Sequence, residues 1–152
     1  MTIDKILELV RRRRIEFVDC RFMDFPGAWQ HKIFSSDQLT RESFEQGFGF
    51  DGSCVRGWQA VNEADMVLIP VPETARLDPF NLHPTLSLIC DVKDPITRKT
   101  YSRDPRSIAR KAQAYLRSTG IADQAMFAPE LEFFMFDRVR FDHMPGQAFY
   151  EV

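Results

Sequence analysis

Residues 127–136 read FAPELEFFMF and set two glutamates, Glu130 and Glu132, one residue apart in an otherwise apolar run. In a strand, positions i and i+2 share a face. Both carboxylates would then project together while Leu131 and Phe133 point the other way. Two ionised carboxylates on a low-dielectric face repel, and a cation between or beside them relieves the repulsion. Oxygen donors of this kind suit Mg²⁺ or Mn²⁺ rather than zinc. The spacing alone also fits the commoner arrangement, an exposed edge whose acids simply face water.

The second chemically suggestive stretch is GFGFDGSCVRGWQAVNEAD, residues 47–65, with glycines at 47, 49, 52 and 57 and no clear periodicity. It reads as a long loop, and long loops in compact domains are usually functional. Asp51 followed by Gly52 is by itself the mark of a turn. Yet Asp51, Glu63 and Asp65 place three acids on this segment beside Trp58, and such a loop can present a carboxylate to a cationic ligand. His31, His83 and His143 match no ligand spacing and read as structural or surface residues. Cys54 has no histidine at useful spacing, so a thiol nucleophile has little support. The glycines lack the lysine and strand-to-helix context of a P-loop or a dinucleotide fingerprint.

The elements that must position these residues follow from pattern. IDKILELVRRRR has Ile3, Ile6, Leu7 and Val10 at helical spacing, with cations where a helix C-terminus favours them. EFVDCRFMD and AWQHKIF alternate about Pro26 and Gly27 and read as a hairpin. In SSDQLTRESFEQG, Ser35 or Ser36 could cap a short helix that Gly47 ends. MVLIPV, ARLD and TLSLICDV read as strands, the last apolar enough to be central. Asp104 and Pro105 open a helix that Gly120 closes. QAMFAPELEFFMFD reads as a final strand. A helix and one strand cannot bury both faces of that strand, so its partners are expected from further chain or another subunit.

The chain has 152 residues, 44% hydrophobic and 28% charged, an ordinary composition for one globular domain or a domain with a piece of a second. A net charge of −2 gives no support to a nucleic-acid or anionic-membrane partner. No apolar run approaches the roughly 20 residues of a bilayer span and no signal-peptide core follows Met1. Three widely spaced cysteines, Cys20, Cys54 and Cys90, indicate neither a disulfide framework nor a zinc pattern. A cytoplasmic protein with free thiols is expected.

Taken in order and spacing, FDGSCVRGWQAVNEADMVLIP, DPF, SRDPRSIARKAQAYL, STGIAD and FAPELEFFMFD closely resemble the N-terminal part of bacterial type I glutamine synthetase. The resemblance runs from about Phe17 to Phe141 and covers only the opening third or so of that family's chain. It implies an α+β fold: a β-grasp-like N-terminal domain over residues 1–104, then the first helix and strand of a truncated catalytic domain over 105–152. It implies ligation of ammonia to the side-chain carboxylate of glutamate, driven by ATP through γ-glutamyl phosphate, with two Mg²⁺ or Mn²⁺ ions per site. Glu130 and Glu132 would each ligate one metal and be buried with it. Asp51 would bind ammonium and take its proton in the neighbouring subunit's site, and Asp65 would orient the loop. Sites would form between subunits of stacked hexameric rings, with no nucleic acid or membrane involved.

Two positions depart from the family pattern. Cys54 stands where a second serine near the ammonium is usual, and a thiol is a poorer partner for a cation. Ala128 and Leu131 replace a common glycine and proline. The first departure leaves open a γ-glutamyl ligase for an organic amine. The missing remainder of the site leaves open a non-catalytic β-grasp interaction module or a vestigial subunit, and a chain of this length alone is expected to be inactive.

Overall fold

The computed structural model describes residues 1–152. Helix α1 (Ile3–Arg13) buries Ile6 and Val10, gathers Arg11, Arg12 and Arg13 in its last turn, and stops at Arg14 in the left-handed region. The hairpin follows as β1 (Phe17–Met23) and β2 (Trp29–Ser35), in register from Phe17 opposite Ser35 to Met23 opposite Trp29. Asp24 shapes its turn by accepting from the Ala28 N–H at 2.7 Å. The helix expected after β2 is smaller than the sequence implies: a 3-10 turn at Ser36–Gln38, then α2 (Ser43–Gln46). Gly47 ends α2 at φ 81°, and a β-carbon there would stand 2.5 Å from the Leu68 carbonyl oxygen, so only glycine fits.

The remaining strands are β3 (Phe48–Asp51), β4 (Asp65–Pro70), β5 (Arg76–Asp78) and β6 (Thr85–Lys93). The sheet order is β2-β1-β6-β4-β3, with β5 also on β6. β6 is central, as its apolar run predicts. It pairs parallel with β1 over Thr85–Ile89 and antiparallel with β4 over Cys90–Lys93. Leu86, Leu88 and Val92 are fully buried in one core with Ile6, Val18, Leu68 and Trp58. This mixed sheet carrying a helix on one face is the expected α+β, β-grasp arrangement.

Helix α3 (Pro105–Ser118) starts as read, with the Asp104 side chain accepting from the Arg106 N–H and proline in the first turn. It is tied to β6 through Asp91, which accepts from Arg106 Nε at 2.8 Å and from Arg110 Nη1. Most of its surface is exposed, including Ile108 and Tyr115.

The strand expected over residues 124–137 is not formed. These residues lie outside every strand and are exposed throughout, Glu130 and Glu132 with them. A strand is held by its ladder, and none of this chain's strands pairs with the segment. Instead the C-terminal residues make a separate hairpin, β7 (Arg140–Met144) and β8 (Gln147–Glu151), turning at Gly146 with φ 92°. That hairpin was not read from the sequence, although Pro145 and Gly146 are a turn signal.

Candidate functional site

The first four residues after Gly47 are strand rather than loop. In β3, Phe48 and Phe50 are buried and Gly49 and Asp51 exposed, the alternation of a half-buried strand. Two phenylalanines anchor the pair: Phe22 lies 5.0 Å from the Phe50 ring, and Phe34 stacks on Phe48 at 4.4 Å. The sequence hid this because Gly49, on the exposed side, supplies no polar side chain to complete the pattern.

β3 and β4 pair with Asp51 directly opposite Asp65. The next hydrogen bond runs from Gly52 N–H to the Ala64 carbonyl at 2.7 Å. The Asp51–Asp65 pair is therefore of the non-hydrogen-bonded type, in which opposed Cα atoms approach to about 4.5 Å. Both residues are exposed. Beneath them Gly52 is buried, and a side chain there would collide with Met66 Sδ, so the glycine after Asp51 is a packing requirement.

Asp51 is held by its neighbour. Its Oδ1 accepts from the Ser53 N–H at 2.8 Å and from the Ser53 hydroxyl at 2.6 Å. The hydroxyl first, and then the N–H, hold the Asp51 carboxyl below the usual carboxylate range, with a further pull from Lys32. Ser53 was not singled out from the sequence. The signal was available, since Asp-x-Ser in a turn is a recognised side-chain-to-backbone pattern. Cys54, which the sequence reading set beside the ammonium, is an exposed free thiol.

Asp65 also borders a groove of about 1050 Å³ shared with Glu63 and Asp94. Two of the three acids noted in the segment therefore line one concavity, while Asp51 stands outside it.

Glu130 and Glu132 are not brought to Asp51 by any element of this chain; they sit on the exposed segment between α3 and β7. Their oxygens suit a hard divalent cation, but no three of the His, Cys, Asp and Glu side chains gather closely enough to hold a metal ion. The donor chemistry fits Mg²⁺ or Mn²⁺ and the donor count does not. No helix is long and apolar enough to cross a membrane.

Comparison with known proteins agrees with this architecture. The family description "Glutamine synthetase, beta-Grasp domain" matches residues 14–95, and "Glutamine synthetase, catalytic domain" matches residues 102–152. Glutamine synthetase of Aquifex aeolicus is 48% identical over 151 residues, covering 99% of this chain and 32% of that protein. The Mycolicibacterium smegmatis glutamine synthetase is 50% identical over the same shares. The chain thus spans about a third of the length of these relatives. Among solved structures, the Plasmodium falciparum glutamine synthetase superposes with a TM-score of 0.77 at 23% identity, over 99% of this chain and 29% of that one. A structure described as apo GmaS gives 0.67 at 22% identity, over 75% of this chain and 26% of that one. With a family description covering more than half its residues, and sheet, loop and helix in the matching order, this chain belongs to the glutamine synthetase family.

Proposed function

We propose that this chain contributes to a longer, oligomeric ligase that joins ammonia to the side-chain carboxylate of glutamate. ATP would first phosphorylate that carboxylate to γ-glutamyl phosphate, and ammonia would then displace phosphate to give glutamine. The observation that carries the reading is the Asp51 carboxylate, exposed at the end of β3, held ionised by Ser53 and opposed by Asp65. Like charges directly opposite each other disfavour the bare strand pair and favour a small cation beside it. Ammonium fits that demand. The hydrogen bonds that keep Asp51 ionised also make it a weaker base, so they support cation holding more than proton removal. Because ammonium has no lone pair, Asp51 would take one proton from it before the ammonia so formed attacks and phosphate leaves. Asp65 shares the cation's field and fixes the far end of the loop.

Residues 1–104 would form the β-grasp domain and residues from 105 onward the opening of the catalytic domain. In stacked hexameric rings of the family kind, the Asp51 loop would complete the site of the adjacent subunit. Glu130 and Glu132 would each contribute one ligand to one of two Mg²⁺ or Mn²⁺ ions, with the remaining ligands from outside residues 1–152. Such ions screen phosphate charge and polarise the carbonyl under attack.

The test uses the full-length product of the gene. Phosphate release that requires ATP, glutamate and ammonium together supports the reading. A folded protein without it overturns the reading in favour of a non-catalytic β-grasp interaction module. Because Cys54 offers ammonium a poorer partner than a serine would, the same assay should include organic amines. Strict preference for ammonium removes the organic-amine alternative.

A further inference from the structure

Tyr101 lies where three elements meet. Its N–H donates to the Val92 carbonyl of β6 at 2.9 Å, and its own carbonyl accepts from the Asp104 N–H at 3.3 Å. The Ser107 hydroxyl, in the first turn of α3, donates to the same carbonyl at 3.3 Å. The Tyr101 hydroxyl donates to the Trp58 carbonyl at 2.8 Å, and the two rings lie 5.1 Å apart. Arg103 strengthens this grip: its Nη1 donates to the Gly57 carbonyl at 2.7 Å and to the Trp58 carbonyl at 2.8 Å.

Trp58 is the midpoint of residues 52–64, which join β3 to β4. It is only 2% exposed and is packed on Phe22 at 5.3 Å. The segment is closed at its base by the Gly52–Ala64 hydrogen bond and gripped at its middle by Tyr101 and Arg103. A carbonyl that accepts from both a phenol and a guanidinium is held by more than an ordinary loop contact. Asp51 stands at the base of the segment so gripped.

We propose that Tyr101 and Arg103 are positioning residues, which hold residues 52–64, and through them Asp51, in a fixed relation to β6 and the N-terminus of α3. The connector before α3 is thus more than a linker. Any displacement of α3 against the sheet is passed to the Asp51 loop through Tyr101 and Arg103. The consequence for turnover rests on the role of Asp51 proposed above; the clamp itself does not.

The experiment uses the full-length protein and the variants Tyr101→Phe, which keeps the ring and removes the donor, Arg103→Met, and Arg103→Lys. Hydrogen exchange across residues 52–64 should speed up about fivefold in Tyr101→Phe, as loss of one hydrogen bond implies, and at least as much in Arg103→Met, which loses two. Arg103→Lys should recover part of the protection. In the same variants KM for ammonium should rise severalfold, while ADP formed in a single turnover without ammonium stays unchanged. Unchanged exchange in both Tyr101→Phe and Arg103→Met overturns the clamp. Faster exchange with equal loss of both half-reactions overturns positioning in favour of general damage to the fold. If the wild-type protein shows no ammonium-dependent phosphate release, the proposed ligase function falls, and the exchange result still decides the clamp.

Discussion

Asp51 and Asp65 are register partners across β3 and β4, two exposed acids opposed on a pair whose other face carries Phe50 and Met66 into the core. Opposed like charges weaken a strand pair. Asp65→Asn is expected to raise the melting temperature slightly at low salt, and the gain should shrink in high salt as screening removes the repulsion. Asp51→Asn gives up the ionised acceptor that Ser53 holds and should show no such gain. Thermal denaturation at two ionic strengths checks this. A drop in the melting temperature of Asp65→Asn at low salt would show that the acids stabilise the pair instead.

Ser53 sets the ionisation of Asp51. Ser53→Ala removes the hydroxyl that does most to hold the carboxyl down, so the Asp51 pKa should rise toward its ordinary value. Cys54→Ser should leave it where it is. Carbon-detected NMR titration of the aspartate carboxyls reads this directly, without any assay of turnover. If the ligase reading holds, the acid limb of the ammonium-dependent rate should move up with it in Ser53→Ala.

The N-cap of α3 carries a buried charge. Asp104 is 1% exposed, its Oδ2 has no partner, and burial pushes its carboxyl up despite the Arg106 N–H. A carboxyl raised in the folded state adds stability that is complete below its ordinary value of 3.8 and is lost as pH rises through the raised one. Asp104→Asn keeps an acceptor for the Arg106 N–H and removes the charge. It should equal or exceed the wild type in denaturant midpoint at neutral pH, with the advantage disappearing in acid. Asp104→Ala loses the cap and should cost about 1 kcal/mol.

Leu88 is fully buried at the centre of β6. Leu88→Ala should cost about 2–5 kcal/mol, transfer loss plus cavity, which is a large share of the stability of a small domain. Urea unfolding gives the value.

Glu130 and Glu132 are exposed and lie outside every strand. Glu130→Ala and Glu132→Ala should therefore leave the melting temperature of residues 1–152 unchanged and, if the ligase reading holds, abolish turnover of the full-length protein with its assembly intact. Normal turnover in either variant would defeat the metal assignment.

The N-terminal fold was readable wherever burial and pattern coincide. The alternation about Pro26 and Gly27 marked the hairpin, the apolar run at Thr85 marked the central strand, and Asp104-Pro105 marked the start of α3. Reading faltered where a residue's surroundings decide its state. Gly49 concealed the exposed side of β3, so Phe48 and Phe50 passed for loop. FAPELEFFMFD has the composition of a buried strand, but composition cannot supply the neighbour whose backbone completes a ladder. At the candidate site Asp51 was legible as an acid in a glycine-rich turn. That Ser53 rather than Cys54 would hold it was not, because both lie within one turn of it and only the backbone path selects between them.

β6 joins strands made long before it. Until residues 85–93 leave the ribosome, the β1–β2 hairpin and the β3–β4 pair share no ladder, since β6 lies between β1 and β4. Without β6 the sheet falls into two two-stranded pairs, each marginal by itself and each with the edge that faces β6 unpaired. Insertion of that one strand closes both of these edges together, so the two halves of the sheet stand or fall with β6.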